Sequence, residues 1–300
     1  MILGVIFAIL SPAVYSIVNY FDKFFLVRFK LEPVIIAIFS GFIALCTSIL
    51  LVFIFGLHFF SFTVTVAIII SGLLTELYIL PYFKALSLED ASSVIPLMQF
   101  VPLFILIGDY FILGEKLTVY QYIGAGLIIA SGIVLSLERS KTYFFKPRKA
   151  FWYMLIACII IALALLFFKF GVGIQNFWYI LPYEGLGIFF GAVGLLLFPQ
   201  YNRLFVTHIK KIPKNAFGLM VMNEALFITA RYCSFYALSL VSASIVGALS
   251  GTQPLFVLLY GIILSVWFPF ILKEVITKET IVLKLISIVV LFIGVILLSI

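Results

Sequence analysis

Long runs of apolar residues, separated by short polar breaks, follow one another along the whole chain. Each run is roughly 20 residues long, which is the length of helix that crosses a hydrocarbon core of about 30 Å. Unbroken apolar runs favour helices, because the strands of a membrane barrel alternate apolar and polar residues. The pattern predicts an all-α integral membrane protein with ten transmembrane helices, over residues 2–22, 33–56, 62–83, 91–112, 118–137, 150–172, 177–199, 216–238, 242–270 and 280–300.

One stretch of the chain occurs twice. Ala85 to Leu106 (ALSLEDASSVIPLMQFVPLFIL) returns 152 residues later as Ala237 to Leu258 (ALSLVSASIVGALSGTQPLFVL), with twelve of 22 positions identical. The match extends along both halves of the chain, pairing Lys23 with Lys169, Pro33 with Pro182, Glu115 with Glu274 and Gly132 with Gly294. Each half then holds five helices, and an odd number makes the second half enter the membrane from the opposite face. The sequence therefore predicts two inverted five-helix repeats, 1–138 and 150–300, joined by a basic linker, 139–149.

The distribution of positive charge gives an orientation. Fifteen Lys and Arg follow the odd-numbered predicted helices, whereas only Lys116 and Lys169 lie at the opposite ends. By the positive-inside rule, the linker is predicted to be cytoplasmic, with both termini outside. We expect a multi-pass protein of the cell (plasma or inner) membrane. The first run has neither a positive segment before it nor a small-residue cleavage pattern after it, so it is predicted to be a retained helix.

Composition excludes several classes of protein. With 65% hydrophobic and 10% charged residues, the chain has too few polar residues to coat a soluble globule. The net charge of +7 comes from bases in short loops, which suits lipid headgroups and membrane orientation better than nucleic acid. The three cysteines lie inside apolar runs and the two histidines lie far apart, so we expect no metal. Without a Walker or GxSxG motif, neither an ATP-driven pump nor a familiar enzyme is expected, and no cofactor is predicted.

The segment from Ala85 to Leu135 resembles the EamA-type branch of the drug/metabolite transporter (DMT) superfamily. The resemblance is carried by the small-residue and proline pattern of the fourth predicted helix, the LGEKLT turn at Leu113 to Thr118, and then Gln121, Gly124 and Gly132. The second half matches more loosely, since its turn reads LKEVIT. The resemblance implies a secondary transporter of small metabolites, often an exporter, with a cavity between the repeats.

Ionisable groups are costly in a bilayer, so those that persist there are candidates for a substrate or ion path. The third predicted helix carries Glu76, the seventh carries Glu184, and the eighth carries Glu224 and Arg231. Glu224 and Arg231 are seven residues apart and share a helix face. Both a structural ion pair and a role in lining a cavity fit this spacing. A carboxylate whose surroundings alternate is also able to bind and release a proton, and we nominate Glu224 first and Glu76 second for proton coupling.

Tyrosines four residues apart stack on one helix face, as in Tyr78 with Tyr82. Their hydroxyls require partners, which favours a protein-lined or wet cavity. Small and polar residues in the fourth helix, including Gln99, fit either close helix packing or substrate contact. We therefore predict that a substrate cavity is lined by Glu76, Tyr78, Tyr82, Gln99, Tyr183, Glu184, Glu224, Arg231 and Tyr232.

The repeat and these residues together predict a function. We expect a secondary active or facilitative transporter, with export as the expected direction, that carries small metabolites such as amino acids or organic cations by alternating access. Its partners would be a small-molecule substrate and membrane lipid, with no nucleic acid, and it would be a monomer or homodimer. The alternative is a lipid-carrier flippase or a non-transporting membrane scaffold, which the Phe-rich helices and basic face also fit.

Overall fold

The computed structural model describes residues 2–113, 118–138, 146–172, 176–210, 212–240, 249–250, 252–267 and 278–298. Twelve helices have defined bounds there: α1 Ile2–Arg28, α2 Pro33–Phe55, α3 Phe62–Leu88, α4 Ala91–Val94, α5 Phe100–Leu113, α6 Val119–Ser136, α7 Lys149–Val172, α8 Phe177–Leu196, α9 Pro199–Ile209, α10 Lys214–Leu240, α11 Gln253–Trp267 and α12 Lys278–Leu298. A 3₁₀ turn, Ile95–Gln99, joins α4 to α5. The two-residue strands β1 Leu137–Glu138 and β2 Lys146–Pro147 pair antiparallel, with β1 directly before the predicted linker and β2 inside it.

The prediction of a helical membrane protein is confirmed. Within the described residues, five helices are long and apolar enough to cross a membrane, namely α1, α2, α3, α7 and α8. Shorter apolar helices run through Ala91–Ile105, Gln253–Trp267 and Leu285–Leu297. The ten-span count and the inverted repeat stay predictions.

Two helices are longer than their apolar runs. α1 continues to Arg28 and α3 to Leu88, so Lys23 and Lys84 lie inside helices, and their predicted loop positions are wrong. An apolar run measures the length of chain that hydrocarbon covers, whereas backbone hydrogen bonding continues a helix into the polar layer. α1 ends where Lys30 adopts a φ of 50°, the left-handed conformation that commonly stops a helix.

The fourth predicted helix, 91–112, is not continuous. α4 gives way after one turn to the 3₁₀ turn that contains Pro96, and α5 begins only at Phe100. Proline has no backbone N–H and its ring clashes with the carbonyl four residues earlier, which disfavours regular α-helix at this point. A 3₁₀ stretch inside a helix often marks a hinge or a functional site.

α9 was not predicted. It is a short helix with no buried residue, and its sequence lacks the long apolar run on which the prediction relied. One side of it carries Tyr201, Leu204 and Phe205, which pack against a buried cluster that includes Val34 and Ile38 of α2. α9 is therefore a surface helix held to α2 by its apolar face.

The chain divides into two compact units, and each contains helices from both halves of the sequence. The first unit comprises Met1–Phe29, Lys84–Leu155 and Met222–Ile300, and the second comprises Lys30–Phe83 and Ile156–Val221. α3, α7 and α10 each pass from one unit into the other. The two units are described separately below.

In the first unit, α1 packs against two helices that run in opposite directions. Its contacts with α10 are antiparallel: Asp22 meets Asn223, the ring of Tyr15 meets Phe227, and that of Phe7 meets Tyr236. Its contacts with α11 are parallel, since Ser16 meets Gln253 and Tyr20 meets Val257. α6 also packs along α12. α1 thus packs between α10 and α11.

In the second unit, α8 lies between α2 and α3. The contacts with α2 are antiparallel, since Gly41 meets Ala192 and Ser48 meets Gly185. The contacts with α3 are parallel, because Ile69 meets Gly187 and Glu76 meets Gly191 further along both helices. α3 in turn packs antiparallel to α7, where the Ser71 hydroxyl donates to the Ala164 carbonyl at 2.8 Å and Ile68 meets Gly171. Glycines on α2, α7 and α8 make these close approaches possible.

Candidate functional site

A row of polar side chains on α1 faces the start of α11. The Ser16 hydroxyl donates to the Pro12 carbonyl of its own helix at 2.7 Å and lies 3.2 Å from the Gln253 carbonyl. The Tyr20 hydroxyl donates to the Val257 carbonyl at 2.7 Å. Between them, the Gln253 side chain donates to Asn19 Oδ1 at 2.9 Å. Positions 16, 19 and 20 share one face of a helix, so a single face supplies all three contacts. Hydrogen bonds between side chains and to backbone carbonyls therefore hold α1 to α11.

One turn further along α1, a buried carboxylate contacts a buried amide of α10. Asn223 Nδ2 donates to Asp22 Oδ1 at 2.9 Å. The two side chains are 3% and 6% exposed, for Asn223 and Asp22 respectively. A buried carboxylate lowers the free energy of unfolding unless polar groups surround it. A buried carboxylate paired with an amide inside a membrane protein is therefore a candidate for a functional role.

Lys23 connects this region to the end of α3. Its ammonium group donates to the carbonyl oxygens of Leu86 and Glu89, each at 2.7 Å. These carbonyls lie at the C-terminal end of α3, where the helix dipole favours a positive charge. The partly exposed Glu89 carboxylate also pairs with Arg148 at 2.8 Å. α1, the end of α3 and the start of α7 are thus linked by charged groups within the first unit.

The interrupted helix borders the same region. α4 contacts α1 and α11, and the 3₁₀ turn contacts α11. Ser92, Ser93 and Gln99, which lie on these segments, are all buried. Broken helices in transporters expose backbone polar groups at substrate and ion sites. The polar face of α1, the Asp22–Asn223 pair and this break together form the candidate site.

Four of the nine predicted cavity residues lie in the first unit. Gln99 is buried beside the helix break, and Glu224, Arg231 and Tyr232 are half-buried on α10. Glu224 directly follows Asn223 in the chain. Arg231 is close enough to Tyr15 and Tyr232 to interact electrostatically with both.

The other five predicted residues lie in the second unit. Glu76 is completely buried, and its Cβ and Cγ pack against Gly191. Glu184 is buried as well, and its backbone carbonyl packs against Gly72. The rings of Tyr78 and Tyr82 lie 6.1 Å apart, and the Tyr183 hydroxyl donates to the carbonyl of His58, in the connection between α2 and α3. Glu76 and Glu184 therefore lie where α3 crosses α8, whereas Tyr183 hydrogen-bonds the connection between α2 and α3.

Sequence reasoning missed Ser16, Asn19, Asp22, Asn223 and Gln253 as members of the candidate site. A signal for part of this set exists, because polar residues at 16, 19, 20 and 23 recur at helical spacing in an otherwise apolar segment. Ending the first helix at residue 22 left Lys23 out of that pattern, although the other three positions lay inside the predicted helix. The selection of ionisable groups also passed over the amides of Asn19, Asn223 and Gln253. Among the described residues, no group of three His, Cys, Asp or Glu is placed to hold a metal ion.

Comparisons with known proteins agree with this architecture. Residues 2–137 match the EamA-like transporter family. A 67-residue stretch is 37% identical to an "Uncharacterized transporter in cobO 3'region" from Sinorhizobium sp, covering 22% of this chain and 48% of that protein. The match thus spans about half the length of that relative. A crystal structure of another protein aligns with a TM-score of 0.53 at 16% identity, covering 99% of this chain and 94% of the other, and this likeness concerns the fold alone.

Proposed function

We propose that this protein is a secondary or facilitative carrier of small metabolites in the cell membrane. Its resemblance to the EamA-type branch of the drug/metabolite transporter superfamily is confirmed over residues 2–137. The family match and the transporter-named relative support a membrane transporter. The proposal adds ten spans in two inverted repeats, alternating access, and small metabolites such as amino acids or organic cations as substrates.

The observation that carries the proposal is that equivalent helices of the two halves make equivalent contacts. α2 and α8, which are repeat partners, pack along each other, and so do α6 and α12. A two-fold axis relating the halves requires this, because elements on the axis meet their own copies. Contacts away from the axis then come in matched pairs.

One matched pair is visible at residue level. The repeat aligns Lys23 with Lys169 and Ala85 with Ala237. Position 22 of α1 therefore corresponds to position 168 of α7, and position 223 of α10 corresponds to position 71 of α3. The counterpart of the Asp22–Asn223 contact is expected between these two positions. Ser71 of α3 does contact α7, at Ala164, one helical turn before position 168. Both helix pairs are antiparallel. This agreement supports two copies of one helix arrangement.

The helix directions support ten crossings. If spans alternate in direction, the first span is antiparallel to the eighth and parallel to the ninth, as α1 is to α10 and α11. The seventh is antiparallel to the second and parallel to the third, as α8 is to α2 and α3. The third is antiparallel to the sixth, as α3 is to α7. Five helix pairs thus agree with one alternating path.

The GxxxG motif at Gly187 and Gly191 has a use inside the chain. Both glycines face α3, where Ile69 and Glu76 approach them. Small residues at this spacing allow close helix contact. This motif therefore supplies no surface for a second copy, which favours a monomer as the working unit of the carrier.

Solute counterflow in liposomes tests the proposal. Purified full-length protein is reconstituted, loaded with unlabelled amino acids, organic cations or carboxylates, and assayed for uptake of the labelled solute. We expect saturable, counterflow-competent exchange of at least one class, reduced by Asn19→Ala. The exposed Asn202 of α9 offers a matched control, and Asn202→Ala should exchange like the wild type. Unsaturable flux would identify a channel, and no flux of any class by folded protein would reject a carrier.

A further inference from the structure

The Asp22–Asn223 pair holds a hydrogen-bond acceptor that the helix packing leaves unused. The amide nitrogen of Asn223 donates to Asp22 Oδ1. The amide oxygen of Asn223, its Oδ1, is buried and has no hydrogen-bond partner among the described residues. Leaving a buried acceptor unsatisfied costs about 1–3 kcal/mol. Only a neighbouring group that brings a donor can satisfy this oxygen, since the N–H groups of an amide cannot reach its own oxygen.

The surroundings select the charge of that group. A carboxylate and an amide oxygen side by side repel an anion and attract a cation. Lys23, the residue after Asp22, donates from its ammonium group to the carbonyl oxygens of Leu86 and Glu89. On the other helix, Glu224 follows Asn223 directly, and Arg231 lies two turns beyond, toward Tyr15. The pair therefore favours a positively charged hydrogen-bond donor.

A pair of aromatic rings lies beyond the polar pair along the same two helices. Tyr15, two turns before Asp22 on α1, contacts Phe227, one turn after Asn223 on α10, with ring centroids 5.6 Å apart. Because α1 and α10 are antiparallel, both rings lie on the same side of the polar pair. A ligand with a charged donor at one end and a hydrocarbon body at the other matches this order of groups.

We propose that Asp22 and Asn223 bind the protonated primary amine of a small metabolite, with its hydrocarbon part toward Tyr15 and Phe227. The inference rests on the proposed transport function and names its substrate class. An alkylammonium has three N–H donors, enough for the Asp22 carboxylate and Asn223 Oδ1 together. A charge-assisted hydrogen bond to the carboxylate supplies most of the affinity, and the amide oxygen distinguishes a donor-bearing cation from a quaternary one.

Thermal stability of the purified full-length protein measures binding directly, because a ligand of the folded state raises the unfolding midpoint. The probe is n-butylamine near neutral pH, where an alkylamine is protonated. Butyltrimethylammonium carries the same charge without N–H donors, butyrate carries the opposite charge, and sodium and potassium test for an inorganic cation. We expect a saturable shift with butylamine, a clearly smaller one with butyltrimethylammonium and none with butyrate.

Three variants locate the site. Asp22→Asn and Asn223→Leu should each weaken the butylamine response by about tenfold or more in apparent Kd. Asp90→Asn is the matched control, since it makes the same change at the start of α4, and it should respond like the wild type. Asn223→Asp keeps an acceptor, and two buried carboxylates this close share one proton near neutral pH, so its butylamine response should strengthen as the pH rises. This readout remains available even if the other variants fold poorly.

Defined outcomes overturn the inference. An equal shift with sodium or potassium assigns the pair to an inorganic cation, and an unchanged response in Asp22→Asn places the amine elsewhere. No response to butylamine means that water alone satisfies Asn223. Counterflow of other solutes without an amine response would retain the carrier and reject this site. Amine binding without counterflow of any solute would retain the site and reject the carrier.

Discussion

Replacing Gly72 by alanine tests the crossing of α3 and α8, on which the second unit depends. A Cβ at Gly72 would meet the Glu184 carbonyl oxygen most closely, and would lie 2.8 Å from Ile188 N and 2.9 Å from Gly187 Cα. Real Cβ atoms essentially never come within 3.0 Å of such neighbours. All three obstacles are backbone atoms, so no side chain can rotate away to relieve the clash.

The magnitude follows from how far the helices must separate. Ordinary contact begins at 3.4 Å, so the Ile188 nitrogen, at 2.8 Å, has to move by 0.6 Å, and the Glu184 oxygen, which is closer, has to move further. A gap of 0.5–1 Å loses about a quarter to a half of the dispersion energy of each contact it opens. Overpacking of this kind costs about 1–3 kcal/mol, and the better helix propensity of alanine returns up to about 1 kcal/mol. We expect a net loss of about 2 kcal/mol.

Thermal unfolding in detergent, followed by tryptophan fluorescence or circular dichroism, provides the assay. Gly194, on the same helix α8, is the matched control, because a Cβ there meets no atom within 4 Å. Gly194→Ala should be neutral or slightly stabilising, so the two Gly→Ala changes are expected to differ in sign. A Gly72→Ala protein as stable as Gly194→Ala would refute the close crossing of α3 and α8.

Two further predictions concern the Lys23 contact with α3 and the orientation of the chain in the membrane. Lys23→Met keeps the side-chain stem and removes both hydrogen bonds to the end of α3, so we expect a loss of about 1–3 kcal/mol in unfolding free energy. Lys84→Met, at an exposed position of α3, should change stability by less than about 0.5 kcal/mol, and equal effects would contradict the capping role. A cysteine at Ser140, in a background lacking the three native cysteines, should react only with reagent added from the cytoplasmic side. Labelling from outside would reverse the proposed orientation.

The sequence predicted the helices best where lipid alone decides their position. α2 and α8 begin where their apolar runs begin, because burial of a spanning helix requires little information about its neighbours. The break at Pro96 was not predictable in this way. Proline also lies inside α1, α3 and α8 at Pro12, Pro81 and Pro182, and those helices continue through it. Whether a proline interrupts a membrane helix depends on which neighbours satisfy the freed backbone groups.

Of the candidate site, the sequence predicted Gln99 at the helix break and Glu224, which directly follows Asn223. It missed Asp22, although that residue is ionisable, and it passed over Asn19 and Gln253, whose amides hydrogen-bond each other across 234 positions of sequence. Such a contact depends on which helices are neighbours, and sequence spacing within one helix contains no information about that. The polar face of α1 was the available signal, since four polar side chains at helical spacing are costly in lipid without partners.

The surroundings of the two nominated acids separate their roles in proton coupling. A coupling carboxylate has to exchange its proton with water on each side of the membrane in turn. Glu76 is completely buried and packs against Gly191 of α8, whereas Glu224, the residue after Asn223 on α10, is half-buried. In a proton-linked carrier, we therefore expect Glu224→Gln to abolish accumulation driven by a pH gradient while retaining exchange at symmetric pH. Glu76→Gln should mainly change stability, and uncoupling by Glu76→Gln alone would assign the proton to α3 instead.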